Sequence, residues 1–176
     1  MDARDAARLI APGVSGRVWI DLGAGGGTFT MALATLLGPT GHVYAFERDP
    51  SAVDALDRLA RRRDERALIE VVRGDFTTDP LPLRSSDGIL MANSLHYVAD
   101  AGQGPLLARL GDELGAQGVL LIVEYDNRPR SRWVPFPISF DRLGAVAREA
   151  GLAAPQLIGR HDSAFGGTMY AAFIRR

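Results

Sequence analysis

Residues 17–27, Arg17-Val18-Trp19-Ile20-Asp21-Leu22-Gly23-Ala24-Gly25-Gly26-Gly27, run an apolar strand straight into a cluster of glycines. Thr28–Leu37 then places Phe29, Ala32, Leu33 and Leu36 at helical spacing, and Gly38-Pro39 stops the helix. A strand, a glycine turn and a helix in that order open an α/β sheet that takes its ligand at the carboxyl ends of its strands. Glycines there let the backbone turn tightly and leave no Cβ between the main chain and a ligand.

Working outward, residues 3–11 have the pattern of a short amphipathic helix, and His42–Phe46 reads as a second strand. Asp49 can cap a helix with Pro50 at its first position and Val53, Leu56 and Leu59 on one face. Leu68–Val72 and Gly88–Ala92 read as strands three and four. Leu106, Leu107, Leu110 and Leu114 mark the next helix, with Gly115 as its stop. Val119–Val123 is aliphatic without alternation, as expected of a fifth strand covered on both faces. Ser139 can cap a helix carrying Leu143, Val146 and Ala147, ended by Gly151; Gln156–Gly159 and Met169–Ile174 then suit an antiparallel hairpin. The alternation predicts one domain over residues 1–176: an α/β, doubly wound, mostly parallel seven-stranded sheet closed by a C-terminal antiparallel hairpin.

Composition narrows the chemistry. The chain has 176 residues, 47% of them hydrophobic, and a formal net charge of −1, so no basic field points to nucleic acid. All 20 basic residues are Arg, which removes lysine Schiff-base and lysine-base chemistry; cysteine is absent, which removes disulfides, thiolate metal sites and cysteine nucleophiles. Arg58, Arg61, Arg62, Arg63 and Arg66 alternate with Asp57, Asp64 and Glu65 in the manner of a solvated helix end. The N-terminal residues lack a signal-peptide pattern, and Val119–Val123 is far short of the ~20 residues that cross a bilayer, so a cytoplasmic protein away from membranes is expected.

Glu47 lies at the end of strand two, twenty residues after Gly27, where a carboxylate can accept hydrogen bonds from ribose hydroxyls. The dinucleotide fingerprint GxGxxG fails in both registers, because its third glycine would fall on Thr28 or Thr30. No phosphate-cradling GxxxxGK[ST] is present either. Asp21, Gly23, Gly25 and Gly27 instead resemble motif I of the class I (Rossmann-like) S-adenosylmethionine (SAM)-dependent methyltransferases, an acid followed by three alternate glycines. Glu47 matches that family's ribose acid. Gly74-Asp75-Phe76 matches the segment whose acid reaches the adenine amino group and whose next residue supports the ring. Ala92-Asn93-Ser94-Leu95-His96-Tyr97 sits where motif IV lies, with Asn93 beside the methionine moiety.

The resemblance implies a transferase with SAM as cofactor. The acceptor it favours is a small molecule, since the Asn/Asp-Pro-Pro-Tyr/Phe motif of nucleobase and amide methyltransferases is missing. An RNA methyltransferase needing a partner subunit, or a non-catalytic SAM-binding domain, are the alternatives, and a homodimer is left open. His96 and Tyr97, after strand four, are the candidate catalytic residues, His96 as a base near neutral pH. Tyr125 and Asp126, after strand five, are second candidates by position. Tyr125, Arg132 and Trp133 are candidate substrate contacts, with the proline-rich loop Asn127–Pro137 expected to form an acceptor wall through Trp133, Phe136, Arg130 or Arg132. Asp126-Asn127 resembles the metal-binding pair of Mg-dependent catechol-type enzymes, but Asn93 stands where their acid after strand four lies, so no metal is expected.

Overall fold

The computed structural model describes residues 1–62, 65–164 and 166–176; Arg63 and Asp64 of the charge run, and Phe165 of the hairpin connection, lie outside the described residues. The strands are β1 (Val18–Leu22), β2 (His42–Glu47), β3 (Leu68–Arg73), β4 (Ser86–Ala92), β5 (Leu114–Tyr125), β6 (Gln156–Asp162) and β7 (Thr168–Arg175). The helices are α1 (Ala3–Ile10), α2 (Thr28–Leu37), α3 (Pro50–Ala60), α4 (Asp100–Asp112) and α5 (Phe140–Glu149). Strand order is β3-β2-β1-β4-β5-β7-β6, with β7 antiparallel to both its neighbours and the other pairings parallel. Order therefore reverses between β1 and β4.

Local chemistry accounts for most boundaries. Asp49 caps α3, its side chain accepting from the Ala52 N–H at 2.9 Å, and Pro50 opens the helix, where a missing N–H costs nothing. Ser139 caps α5 in the same way through the Arg142 N–H, and Gly151 follows the helix with a positive φ. The central strands are apolar on both sides because both faces are covered. Ile20, Leu22, Ile89, Met91 and Ile122 pack with Leu107 of α4 and Leu143 of α5. Trp19, Val43, Leu90 and Leu121 pack with Ile10 of α1, Leu33 of α2 and Leu56 of α3. Among the described residues no helix is long and apolar enough to cross a membrane.

The boundary between α4 and β5 departs from expectation. Helix α4 ends at Asp112, and Leu114 and Gly115 belong to β5, where Leu114 pairs with Ser86. A Cβ on Gly118 would lie 2.8 Å from the Ser86 carbonyl, so this early part of β5 crosses the start of β4 at a separation that suits glycine. Gly115, whose Cβ would lie 3.3 Å from the Ser85 and Ser86 carbonyls, sits in the same close strand approach, where helical spacing suggested a stop.

Candidate functional site

The carboxyl ends of the parallel strands meet at one edge of the sheet, in register: Leu22 beside Phe46, Glu47 beside Arg73, Ala92 beside Val123. Above that edge, at the point where strand order reverses, lies an open cavity of about 510 Å³. Its base is the glycine turn. Gly23, Gly25 and Gly27 all have positive φ, at 75°, 52° and 83°, a region that a side chain with a Cβ enters only at a cost. The other glycine roles differ: a Cβ on Gly27 would strike Leu59 of α3 at 2.7 Å, whereas Gly25 and Gly26 face open space.

Glu47 braces this turn. Its Oε2 accepts from the Gly25 N–H at 2.8 Å, and its Oε1 accepts from the Arg48 and Asp49 N–H groups at 2.8 and 2.9 Å. Both lone pairs of Oε1 are used, so a further donor from the cavity falls to Oε2. Asp21 lies beneath the turn. It is buried, accepts from the Thr30 hydroxyl at 2.6 Å, and is absent from the cavity wall. Burial pushes its carboxyl up to about 7; the Thr30 hydrogen bond opposes the shift and the nearby Glu47 charge adds to it.

Next along the wall is the loop after β3. Asp75 Oδ1 accepts from both the backbone and the hydroxyl of Thr77, and its Oδ2 meets Arg48 at 3.2 Å. The Thr77 hydroxyl bond is the largest influence lowering the Asp75 pKa, so the group faces the cavity as a carboxylate. Phe76 lies beside Gly23, and its carbonyl is held by the Arg109 guanidinium of α4. Asn93 leaves β4 with a φ of 54°, unusual for a residue other than glycine. Its Oδ1 is buried without a hydrogen-bond partner while its amide points at the Met169 sulfur, 3.7 Å away. A buried acceptor left unpaired costs free energy unless something in the cavity fills it.

In the far half of the cavity, Tyr97 and Tyr125 are residues the sequence pointed to, while Met169 and His161 enter through strand register. Tyr125 pairs with Met169 across β5–β7, and Met169 pairs with His161 across β7–β6, so register places all three in one row on one face. All three line the cavity, with Tyr97, Val98 and Ser163. His161 reaches the wall through two antiparallel pairings, which no local pattern discloses.

Several expected site residues are placed elsewhere. Gly23, Gly25, Glu47, Asp75, Phe76, Asn93, Tyr97 and Tyr125 line the cavity, while Asp21, Gly27 and His96 do not. The His96 ring is buried, with Nδ1 2.6 Å from Glu124 Oε2, which puts it behind the wall. Arg132 and Trp133 are also outside it: Trp133 is 69% exposed with the Arg132 guanidinium over its ring. Their loop is anchored by Val134, packed on Tyr125 and Met169, and by the buried Ile138, and this turns Trp133 outward. Asp126 and Asn127 are engaged at the hairpin, Asp126 by Arg160 and the Phe140 N–H, Asn127 by the Thr168 N–H. Among the described residues, no three His, Asp or Glu side chains gather in a metal-binding group.

The model of a family described as a methyltransferase domain matches residues 20–118, more than half the chain. The chain belongs to that family. It is a class I, SAM-dependent methyltransferase, and the seven-stranded sheet with its closing hairpin is the family's fold. No curated protein matches the enzyme in sequence. Solved structures resemble its fold. A TehB-like SAM-dependent methyltransferase from Corynebacterium glutamicum is 23% identical, with 100% of this chain and 89% of that one covered and a TM-score of 0.68. The CcbJ methyltransferase from Streptomyces caelestis is 17% identical, with 99% and 94% covered and a TM-score of 0.75. Mitomycin 7-O-methyltransferase MmcR is 20% identical over 98% of this chain, with a TM-score of 0.74; the enzyme spans about half of that chain, 53%.

Proposed function

We propose that this methyltransferase transfers the methyl group of SAM to a small-molecule acceptor held in the same cavity as the cofactor. The observation that carries the reading is the continuity of that cavity. It runs from the glycine turn, Glu47 and Asp75 at one end to Tyr97, Tyr125, Met169 and His161 at the other. Its volume of about 510 Å³ is that of a small-ligand pocket.

The residues at the glycine end fit SAM. Open space above Gly25 and Gly26 admits a ligand against the backbone. The remaining capacity of Glu47 Oε2 suits a ribose hydroxyl, and the Asp75 carboxylate beside Phe76 suits an adenine amino group over an apolar edge. The unpaired Oδ1 of Asn93 suits the ammonium of the methionine part. Bound there, SAM supplies an already activated methyl group on a sulfonium. The protein's share is to align the acceptor and exclude water. Tyr97, Val98, Tyr125 and Met169 offer an acceptor an apolar, aromatic body contact, and His161 is an imidazole in the same wall that can take a proton from an acceptor hydroxyl.

The test is a screen of small hydroxyl- and amine-bearing acceptors with the purified protein and SAM, reading S-adenosylhomocysteine (SAH) formation. Acceptor-dependent SAH is expected for at least one class. SAM binding without turnover across phenols, amines and carboxylic acids, combined with turnover on RNA, would overturn the small-molecule reading.

A further inference from the structure

Behind the cavity wall, one carboxylate holds one short turn twice. Glu124, on β5, accepts from the backbone N–H of His96 through Oε1 at 3.1 Å, and its Oε2 lies 2.6 Å from the imidazole Nδ1 of the same residue. The two side chains are 1% and 3% exposed, and neither lines the cavity. The turn they hold, Leu95–Tyr97, is a single 3-10 turn closed by two local bonds, Tyr97 N–H to Ser94 O at 3.2 Å and Val98 N–H to Leu95 O at 3.0 Å. The His96 carbonyl in turn accepts from the Phe136 N–H at 3.0 Å, tying in the loop after β5. On the open side, the Tyr97 ring rests against the His96 ring with centroids 4.5 Å apart. Tyr97 is itself 50% exposed and in the cavity wall.

We infer that Glu124 and His96 are positioning residues that fix Tyr97 at the acceptor side of the cavity, acting from behind the wall. The inference rests on the reading of that half of the cavity as the acceptor site. A buried carboxylate is costly unless its hydrogen bonds are made, and here they go to one residue whose ring supports a wall side chain. Removing the carboxylate releases a backbone N–H and an imidazole together, so the turn keeps Leu95 in the core and its bond from Phe136 but loses the hold on the ring beside Tyr97. Leu95, at the other end of the turn, is buried in the core, and Tyr97 is its half-exposed end.

The test uses the whole protein without ligand, labelled with 3-fluorotyrosine; its four tyrosines give four fluorine signals, and Tyr97→Phe assigns one. Glu124→Met fills the space without hydrogen bonds. It is expected to speed amide exchange at His96, Tyr97 and Val98 by about tenfold, and to move the Tyr97 signal, with β4 and β5 still protected. Glu124→Gln, which can accept from the N–H and donate to Nδ1, restores both readouts. His96→Asn keeps a donor toward Glu124 but lacks the ring, and moves the Tyr97 signal even if Glu124→Met does not fold. A Tyr97 signal unchanged in His96→Asn, or protection in Glu124→Met equal to that in Glu124→Gln, overturns the inference. SAH titration into the wild type is a separate arm: failure to bind there counts against the cofactor reading and leaves the exchange result to stand alone.

Discussion

Asp21 and Glu47 sit on opposite sides of the glycine turn, one beneath it and one beside it, and the difference decides what each can do. Asp21 is an acid whose pKa rises on folding, to about 7, chiefly through burial. It keeps its proton in the folded state at pH values where the unfolded chain has released it. Its stabilising contribution is therefore complete below about pH 4 and is lost as pH rises through about 7. In urea unfolding, the wild type should lose stability relative to Asp21→Asn across that window; parallel stability profiles for the two would contradict this. Glu47 differs because one of its oxygens retains capacity toward the cavity. Glu47→Ala should raise the SAH dissociation constant by roughly 10–100-fold, the worth of about one charge-assisted hydrogen bond. Calorimetry showing wild-type affinity with the fold intact would remove Glu47 from the site.

At the scale of elements, the glycine turn and the closing hairpin build the two ends of the cavity. Gly27→Ala places a Cβ at positive φ and 2.7 Å from Leu59. It should cost about 1–2 kcal/mol from backbone strain alone, read as a lower thermal midpoint; an unchanged midpoint would mean that the turn relaxes freely. On the hairpin, His161→Ala should lower acceptor kcat/KM by about tenfold or more while leaving SAH affinity near wild type. Arg132→Ala and Trp133→Ala, outside the cavity, should change neither. Steady-state kinetics beside SAH titration separates these outcomes, and a raised acceptor KM in Trp133→Ala would return its loop to the wall.

These two ends also differ in how far the sequence disclosed them. Asp49-Pro50 and Ser139 state their helix starts by capping chemistry, and residues 21–27 state the turn, because each depends on neighbours in the chain. The start of α4 was hidden by Gly102, Gly104 and Pro105, poor helix formers that tertiary packing overrides. Leu114 kept helical spacing yet joined β5, because its partner, Ser86, is far away in sequence. The acceptor half follows the same logic. His161 and Met169 reach the cavity only through two strand registers, and His96 lies behind it with its ring against Glu124 of β5.

For the whole molecule, the proposed function divides one sheet edge into a cofactor end and an acceptor end, with no metal expected between them. Asp126 and Asn127 are committed to Arg160, Phe140 and Thr168, and Asn93 stands where a metal-binding acid would be needed. Turnover should thus persist in EDTA; loss in chelator with recovery on adding Mg²⁺ would contradict that. The most direct measurement of the central claim is a calorimetric titration of SAH, and separately of NAD, into the wild-type protein. The account predicts one SAH per chain, bound in the micromolar range and displaced by SAM, with no heat from NAD. Binding of NAD without binding of SAH or SAM would contradict it.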